Sequence, residues 1–305
     1  MSNNPLVSVI ITTYKRKVEI ISIAIQSILN QTYKNLELIV VDDSPCDYVE
    51  RKNVKKYCES INDSRIKYIQ HKSNKGACAA RNTGINNSNG EFVCFLDDDD
   101  QYLPNKIEKM IPVLLKNDEN VLVYCDISMY QNGKYRKKYS EIQTPQKGYV
   151  YDKIMAVNFI GPTSIALMRM SAVKKAGCFD TEMEASQDWD LWIRISQFGK
   201  IDYIDEVLFN YYSDAGASND RISNDTMRRI RALQHLNVKN MDYLLKNKDA
   251  YAARKEYEMR MNISINHIKD AIKCYFSVIK YRPKTILKNI ILLKAFGRIV
   301  FKKKV

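Results

Sequence analysis

The sequence predicts an α/β protein, with a mostly parallel sheet flanked by helices, followed by a helical and basic C-terminal region. The first observation behind this prediction is the alternation of short β-branched runs with segments of helical period, which is the pattern of βαβ units. The second is the distribution of charge. Residues 1–220 contain 27 Lys/Arg and 29 Asp/Glu, whereas residues 221–305 contain 21 and 6, so the excess behind the net charge of +13 lies in the C-terminal region.

The first βαβ unit is predicted near the N terminus. The run VSVII at 7–11 is short and β-branched, and LELIVV at 36–41 is similar. Between them, residues 18–29 place apolar side chains at the spacing of a helix. Two strands joined by one helix over so few residues lie parallel, and the sheet that they form is buried on both faces.

The alternation continues through the first hundred residues. The predicted elements are, in order, a helix near 47–60, a strand at 66–69, a helix near 76–87 and a strand at 91–96. A second block at about 145–215 mixes short strands and helices, and the residues that follow form polar, basic helices. We therefore expect a domain at 1–220, with halves at about 1–104 and 105–220, and a helical region at 221–305.

Composition excludes several classes of protein. A hydrophobic share of 45% with 27% charged residues suits a globular chain with a sizeable core, and excludes disorder, collagen and a disulfide-stapled miniprotein. Seven scattered cysteines without a CxxC pair predict a reduced, cytoplasmic protein with no zinc site. No apolar run reaches about 18 residues, so we expect no spanning helix, and the N terminus lacks a signal-peptide pattern. With only three histidines, we expect acid–base chemistry to use carboxylates.

Four consecutive aspartates at 97–100 directly follow the apolar strand FVCFL. At the end of a buried strand, uncompensated carboxylates repel one another and resist desolvation. A hard divalent cation removes that penalty, and carboxylates that leave room for diphosphate oxygens suit Mg²⁺ or Mn²⁺. The alternative is a solvated acidic turn that caps a helix starting near Pro104.

Two other strand ends are predicted to share this edge of the sheet. In such sheets ligands bind outside the carboxyl ends of the strands, which selects residues 12–14 and the pair Asp42 and Asp43. Asp42 could accept a hydrogen bond from a pyrimidine imide or a ribose hydroxyl. The alternative is an Asx turn before Ser44, a common use of Asp.

Arg81 and Asp188 are the remaining candidates. Arg81 lies in GACAARN, a predicted helix of small residues that can approach a ligand closely, and the alternative is a surface salt bridge. Asp188 lies at or near the start of a helix, because Leu191, Ile195 and Phe198 have helical spacing. It is either a catalytic residue or a plain N-cap, and the two tryptophans beside it are typical of a core.

Five motifs, taken together, resemble a known family. SVIITTYKR, LNQTYKNLELIVVDDSP, NKGACAARNTGI, NGEFVCFLDDDD and GCFD…QDWDLW follow one another as in the family 2 glycosyltransferases, which are inverting, nucleotide-sugar-dependent enzymes of the GT-A fold. The resemblance runs from about residue 7 to 218. It implies a nucleotide-binding half at about 1–104, an acceptor half at about 105–220, and UDP as the default nucleotide.

The resemblance also implies a role for each candidate residue. Those expected to bind the nucleotide-sugar are Thr12, Thr13, Tyr14, Asp42, Arg81, Asp97 and Asp98. The first three would line the nucleobase pocket. The aspartate run would supply the family's DxD motif, with Asp99 on a divalent metal, Mn²⁺ or Mg²⁺, and Asp100 in support. Asp188 would be the catalytic base.

The sequence departs from the family pattern at two places. The residue before the base is usually Glu and is Gln187 here, which removes a negative neighbour. The family often has Tyr-Arg-x-His after its last strand, whereas this chain has YYSD at 211–214. Asp214 therefore stands where a His can contribute to the metal–diphosphate site, and a carboxylate can also bind a hard metal.

The basic tail predicts where the protein acts. After Asp270 the sequence has ten basic residues and no acidic one. A helix over 284–301 would carry a broad apolar face with a narrow cationic stripe, which is typical of a helix in the headgroup region of an anionic membrane. The alternative is a helix packed on the domain or between subunits, so an oligomer stays possible. No zinc, helix-turn-helix or RNA-binding pattern is present in the tail, and we expect no nucleic acid partner.

Together, these features predict a hexosyltransferase at the cytoplasmic face of the cell membrane. It would move a sugar to a glycan or a lipid-linked acceptor in the synthesis of a surface polysaccharide or glycolipid. One alternative is a catalytically degenerate scaffold or binding protein of the same fold. A metal-dependent nucleotidyltransferase is a further alternative, although the sequence has no GxxxxGK[ST] phosphate loop.

Overall fold

The computed structural model describes residues 4–213 and 225–283. The chain forms two compact units. The larger comprises Met1–Ile154 with Asn158–Arg221, and the smaller comprises Met155–Val157 with Ile222–Val305. Two predicted features, Asp214 and the helix at 284–301, lie outside the described residues.

The first half of the larger unit alternates strands and helices. Its elements are, in order, β1 (Val7–Thr13), α1 (Val18–Leu29), β2 (Leu36–Asp42), α2 (Arg51–Ser60), β3 (Ile66–Gln70), α3 (Ala77–Asn86) and β4 (Phe92–Asp97). β1 pairs in parallel with β2 on one side and with β4 on the other, and β3 extends the sheet beyond β2. The β-branched and apolar side chains of the inner strands β1, β2 and β4 are buried, as a sheet covered on both faces requires. The predicted βαβ alternation is confirmed.

The second half of the larger unit completes the sheet. Its elements are, in order, β5 (Gln101–Tyr102), α4 (Lys106–Leu115), β6 (Asn120–Gln131), β7 (Lys134–Lys138), α5 (Tyr151–Ala156), β8 (Ala166–Arg169), α6 (Met170–Lys175), α7 (Gln187–Ile195) and β9 (Lys200–Tyr212). The strand order is β3-β2-β1-β4-β8-β6-β9-β5, and β7 pairs with β6. β8 runs antiparallel to both β4 and β6, whereas β6 and β9 are parallel. The sheet is therefore parallel from β3 to β4 and mixed beyond.

Helix α3 approaches the sheet closely. A Cβ on Gly84 would lie 2.4 Å from Cγ2 of Ile10 on β1, so a glycine at this position lets the helix pack against that strand. The small residues of α3 were expected to allow a close approach to a ligand. At Gly84 the small residue packs the helix on the sheet, and this packing fixes the position of Arg81, about one turn earlier. The close approach to a ligand stays a prediction.

The smaller unit is helical. Its elements are α8 (Thr226–Lys239), α9 (Met241–Lys246), α10 (Lys248–Ser264) and α11 (Ile268–Tyr281). A cluster of Met259, Ala271 and Cys274 joins α10 to α11. Arg254 is fully buried and donates hydrogen bonds to the carbonyl of Met155 at 2.6 Å and to Oδ1 of Asn237 at 3.1 Å. In the described ranges no helix has both the length and the apolar character needed to cross a membrane.

Candidate active site

The carboxyl ends of β1, β2 and β4 lie next to one another at one edge of the sheet. In the parallel register Thr12 is opposite Asp97, and Thr13 is opposite Asp42. Thr13 Oγ1 is buried and has no hydrogen-bond partner within the described part of the chain. Tyr14 follows, half-buried. The structure thus brings the residues predicted from three separate strand ends to one edge.

Asp42 accepts hydrogen bonds from protein groups on both of its oxygens. Oδ1 accepts from the backbone N–H of Ser44 at 2.8 Å, which is the Asx turn considered from the sequence. Oδ2 accepts from the hydroxyl of Tyr68 at 2.6 Å, and burial together with this bond raises the pKa of Tyr68 above its ordinary value, so the phenol stays a donor. The structure therefore gives Asp42 a role in shaping the strand end, and its contact with a nucleobase stays a prediction.

Asp43 anchors the loop that precedes α3. Its Oδ1 accepts from the backbone N–H of Lys75 at 2.8 Å and lies 2.7 Å from Nδ1 of His71, while Oδ2 accepts from the N–H of Gly76 at 2.8 Å. Because a carboxylate only accepts, Nδ1 of His71 carries a proton, and its Nε2 lies 2.9 Å from the hydroxyl of Thr83. This chain of bonds connects β2 to both the start and the middle of α3.

Arg81 links two parts of the site. Its Nη1 donates to Oε1 of Gln187 at 2.7 Å and its Nη2 donates to Oδ1 of Asp97 at 3.0 Å. The guanidinium carbon lies 5.3 Å from the centroid of the Phe179 ring. Arg81 thus forms a salt bridge, with Asp97, but the surface position considered from the sequence is wrong, because Arg81 is only 8% exposed.

Asp98 and Asp99 share one arginine. Arg16 donates to Oδ1 of Asp98 from Nε at 2.9 Å and from Nη2 at 2.7 Å, and Nη2 also lies 3.2 Å from Oδ2 of Asp99. Burial works against the charged guanidinium, but the aspartates hold the pKa of Arg16 above its ordinary value. From the sequence we expected a metal to offset the repulsion between these carboxylates. The structure shows that Arg16 already offsets part of it.

Asp100 connects β4 to the rest of the sheet. Its Oδ1 accepts from the backbone N–H of Tyr212 at 3.1 Å, and its Oδ2 accepts from the hydroxyl of Ser164 at 3.2 Å. The same hydroxyl accepts from the N–H of Asp97 at 3.1 Å. The solvated acidic turn considered from the sequence is wrong, because three of the four carboxylates are buried and α4 begins only at Lys106.

The carboxylates at this edge suit a hard divalent metal by their chemistry. Oδ2 of Asp98 is buried and has no hydrogen-bond partner among the residues described. Those residues contain no complete cluster of three or more His, Cys, Asp or Glu ligands. Mg²⁺ is usually held by one or two carboxylates together with substrate phosphates, so the donor set fits a metal that binds with a diphosphate. Asp214, the other predicted ligand, lies outside the described residues.

Asp188 is the second residue of α7 and is half-buried. The N-cap of this helix is Ser186, so the N-cap role considered for Asp188 is wrong. Its Oδ1 accepts from the N–H of Trp189 at 2.8 Å, and its Oδ2 accepts from Nδ2 of Asn158 at 3.2 Å. Burial raises the pKa of Asp188 to about 6, against the opposing effects of these two donors and of Arg81. A carboxylate with this pKa can act as a base near neutral pH.

The two tryptophans beside Asp188 belong to the core, as expected. Trp189 donates its indole N–H to the carbonyl of Ile154 at 2.6 Å, and Trp192 donates to the carbonyl of Gly161 at 3.0 Å. Asn158 Oδ1 accepts from the N–H of Gly161 at 3.1 Å. The loop that carries Asn158 is therefore held against α7 next to the carboxylate of Asp188.

Sequence reasoning missed three residues of this site: Arg16, His71 and Asn158. Arg16 lies in TTYKR just beyond β1, so the rule that selected residues 12–14 could have included it. His71 follows β3 directly and could have been found by the same rule. Asn158 lies in a loop 30 residues from its partner, and no local pattern marks it.

Comparison with known proteins gives one consistent result. A family model described as glycosyl transferase family 2 matches residues 8–177. One relative is WcaA of Escherichia coli (strain K12), which is provisionally named as a colanic acid biosynthesis glycosyl transferase. It is 32% identical over 64% of this chain and 67% of its own. WfgD of Escherichia coli, named as a UDP-Glc:alpha-D-GlcNAc-diphosphoundecaprenol beta-1,3-glucosyltransferase, is 33% identical over 65% of this chain and 73% of its own.

A solved structure shares the fold. TarS of S. aureus, crystallised in complex with UDP-GlcNAc, superposes with a TM-score of 0.65. The match covers 90% of this chain and 81% of the TarS chain at 16% sequence identity. At that identity the likeness concerns the fold alone.

Proposed function

This chain belongs to glycosyl transferase family 2, and we propose that it is an inverting enzyme that moves a sugar from a nucleotide diphosphate-sugar, by default a UDP-sugar, to an acceptor hydroxyl. The observation that carries the proposal is the double contact of Arg81. This side chain joins Asp97, at a strand end, to Gln187, which directly precedes Asp188. Arg81 therefore connects Asp97, which is suited to binding the donor, to the residue next to Asp188, which is suited to proton transfer.

Asp188 is the base in this proposal. With a pKa of about 6 it is mostly charged at neutral pH and still basic enough to take a proton from the acceptor hydroxyl. As the proton leaves, the acceptor oxygen attacks the anomeric carbon from the face opposite the diphosphate. The new bond to the acceptor forms, the bond to the diphosphate oxygen breaks, and the anomeric configuration inverts.

The strand ends would bind the donor. Thr12, Thr13 and Tyr14 would line the nucleobase pocket, with Asp42 beside the base. Asp97 would lie near the ribose with Asp98 in support, and Arg81 would lie close to the nucleobase. The common place of these residues at the sheet edge supports this arrangement. Asp99, with Asp214, would hold Mn²⁺ or Mg²⁺, which when bound supplies positive charge against the departing diphosphate.

The acceptor is proposed to be a glycan or a lipid-linked sugar of a cell-surface polysaccharide or glycolipid. The name of WfgD, which gives a UDP-sugar donor and a diphosphoundecaprenol-linked acceptor, supports this. The net charge of +15 on residues 221–305 would attach the protein to the anionic inner face of the cell membrane, mainly through the basic segment at 284–301.

A transfer assay tests the proposal. The full chain is incubated with Mn²⁺, a panel of UDP-sugars and soluble sugar acceptors, and the anomeric configuration of the product is read by NMR. An α-linked donor is expected to give a β-linked product. Release of no UDP with any donor would favour the degenerate scaffold, and an α-linked product would contradict inversion.

The substitution Asp188→Asn tests the role of the base. It removes the proton acceptor while preserving the shape of the side chain, so transfer is expected to fall by about 10²–10⁴-fold with UDP binding retained in calorimetry. Asp118→Asn, at an exposed carboxylate, is the matched control and should leave transfer unchanged. Near-normal turnover in Asp188→Asn would refute the assignment.

A further inference from the structure

Helix α11 has apolar residues on two different sides. One side carries Ala271, Cys274 and Val278, which are buried, and packs on α10 around Met259. This side accounts for the position of the helix in the smaller unit. The residues on the other side need a separate explanation.

The outer face of α11 combines an apolar strip with a row of lysines. The strip consists of Ile272, Phe276 and Ile279, and the row consists of Lys269, Lys273 and Lys280. Both sets recur at intervals of three, four or seven positions, so each forms a line along the helix, and the two lines are adjacent. Phe276 is 66% exposed and Ile272 is 43% exposed. Ile279 is half-buried. Single exposed apolar residues are ordinary, but two of them one turn apart and beside lysines are typical of an interaction surface.

The charge around this face is mainly positive, with one lysine of the row offset by a neighbouring aspartate. Lys273 pairs with Asp270 at 3.0 Å, and Asp270 is the last acidic residue of the chain. Lys269 and Lys280 flank the apolar strip. A partner that covers the face must therefore offer apolar contact together with negative charge.

We propose that the outer face of α11 binds the surface of an anionic lipid bilayer, with Phe276 and Ile272 among the acyl chains and the lysines at the phosphates. A helix with an apolar strip beside a cationic row lies in the plane of the headgroups. Each lysine near such a surface contributes about 1 kcal/mol. The surface lies on a described helix, separate from the tail at 284–305, and it does not depend on the proposed sugar transfer.

The alternative occupant within the chain is the tail itself. Residues 284–305 include seven basic residues and no acidic one. Packing that segment on the outer face of α11 would bring its positive charges near Lys269 and Lys280, and like charges at short distance repel. An anionic bilayer meets the same face with charge of the opposite sign.

A tryptophan at position 276 tests the proposal in the full chain. The two native tryptophans are 3% and 0% exposed, so Phe276→Trp adds the one indole that reports on this face. Without vesicles we expect emission typical of an exposed indole. Vesicles of phosphatidylglycerol and phosphatidylcholine should shift the emission to shorter wavelength, and brominated acyl chains should quench it. Vesicles of phosphatidylcholine alone should do neither.

The matched control is Val49→Trp, at a position 80% exposed in the larger unit, which should not respond to vesicles. As a second measurement, Phe276→Ser should lower partition onto the anionic vesicles by about tenfold, whereas Val49→Ser should not. Short-wavelength emission without vesicles would overturn the proposal, because another segment or a second copy then covers the face. An equal response to neutral vesicles, or no response, would also overturn it.

Discussion

Asp188 acquires its pKa from opposing neighbours. Burial raises the pKa to about 6, while the N–H of Trp189, the charge of Arg81 and the amide of Asn158 lower it. The N–H of Trp189 belongs to the backbone, and Arg81 also contacts Asp97. Asn158 is thus the side chain that positions the base. Its replacement should have the least effect on the residues proposed to bind the nucleotide-sugar donor.

Asn158→Ala is expected to shift the pH dependence of transfer. The amide donor stabilises the charged carboxylate, so its removal raises the pKa of Asp188 above about 6. The acid limb of the profile of kcat/KM against pH should move to higher pH, with activity recovering at alkaline pH. Asn53→Ala removes a surface hydrogen bond from the side-chain amide of Asn53 to the carboxylate of Glu50, and it should leave the profile unchanged. An unshifted acid limb would contradict the positioning role.

Arg16→Gln should make the protein depend on a divalent cation for its stability. The substitution removes the guanidinium bonded to Asp98 and Asp99, and breaking a buried pair costs about 3 kcal/mol or more. The Tm should fall in metal-free buffer, and Mn²⁺ should raise it more than in the wild type, because a ligand that binds the native state stabilises it.

The control for Arg16→Gln is Arg65→Gln. Arg65 also contacts an aspartate through two nitrogens, but its pair with Asp63 is partly exposed. A small fall in Tm without dependence on Mn²⁺ is expected there. An equal response of wild type and Arg16→Gln to Mn²⁺ would argue against a metal at Asp98 and Asp99.

At the scale of elements, α3 owes its position to polar contacts as well as to packing. The bonds from Asp43 through His71 to Thr83 connect β2 to this helix, and His71 is buried. The close approach at Gly84 holds the same helix on β1. Since α3 carries Arg81, the contact between the two halves of the site depends on these bonds.

Thr83→Val is expected to destabilise the protein by about 1–3 kcal/mol, because it leaves Nε2 of His71 buried without its hydrogen-bond partner while the side-chain shape is kept. Urea unfolding measures the change. Thr32→Val is the control, since the Thr32 hydroxyl bonds the exposed carboxylate of Glu108, and its effect should stay within about 0.5 kcal/mol. Equal effects of the two substitutions would show that the buried hydrogen bonds stabilise the protein no more than an exposed one does.

The parallel strands were predictable from sequence, whereas the mixed part of the sheet was not. Runs such as VSVII and LELIVV are buried on both faces over most of their length and are therefore largely apolar, which local sequence reveals. The insertion of β8 between β4 and β6 pairs residues far apart in the chain, such as Phe92 with Arg169. Pairing of that kind depends on tertiary contacts and leaves no local pattern.

At the scale of the whole molecule, charge is divided between two regions. Residues 1–220 carry a net charge of −2 and residues 221–305 carry +15. In our proposal, sugar transfer that uses aspartates and membrane attachment that uses lysines belong to different parts of the chain. The division predicts that attachment to the membrane can be lost while sugar transfer is kept.

Deletion of residues 284–305 tests this division. The deletion removes seven basic residues, and each contributes about 1 kcal/mol near an anionic surface. Binding to anionic liposomes should weaken strongly and transfer to a soluble acceptor should persist, while neutral liposomes serve as the control. Unchanged binding to anionic liposomes would contradict the proposed attachment through the tail.

The sequence by itself determined the βαβ alternation, the strand ends that carry the candidate residues, and the family resemblance. These features follow from local periodicity and from short motifs, which the order of residues expresses directly. Only the tertiary structure decided which charges meet. Arg16 lies 82 residues from Asp98, and Arg81 lies 106 residues from Gln187, yet each pair is hydrogen-bonded. Burial, hydrogen bonding and the pKa of Asp188 depend on such distant contacts, because the electrostatic environment of a group is set by what surrounds it in space.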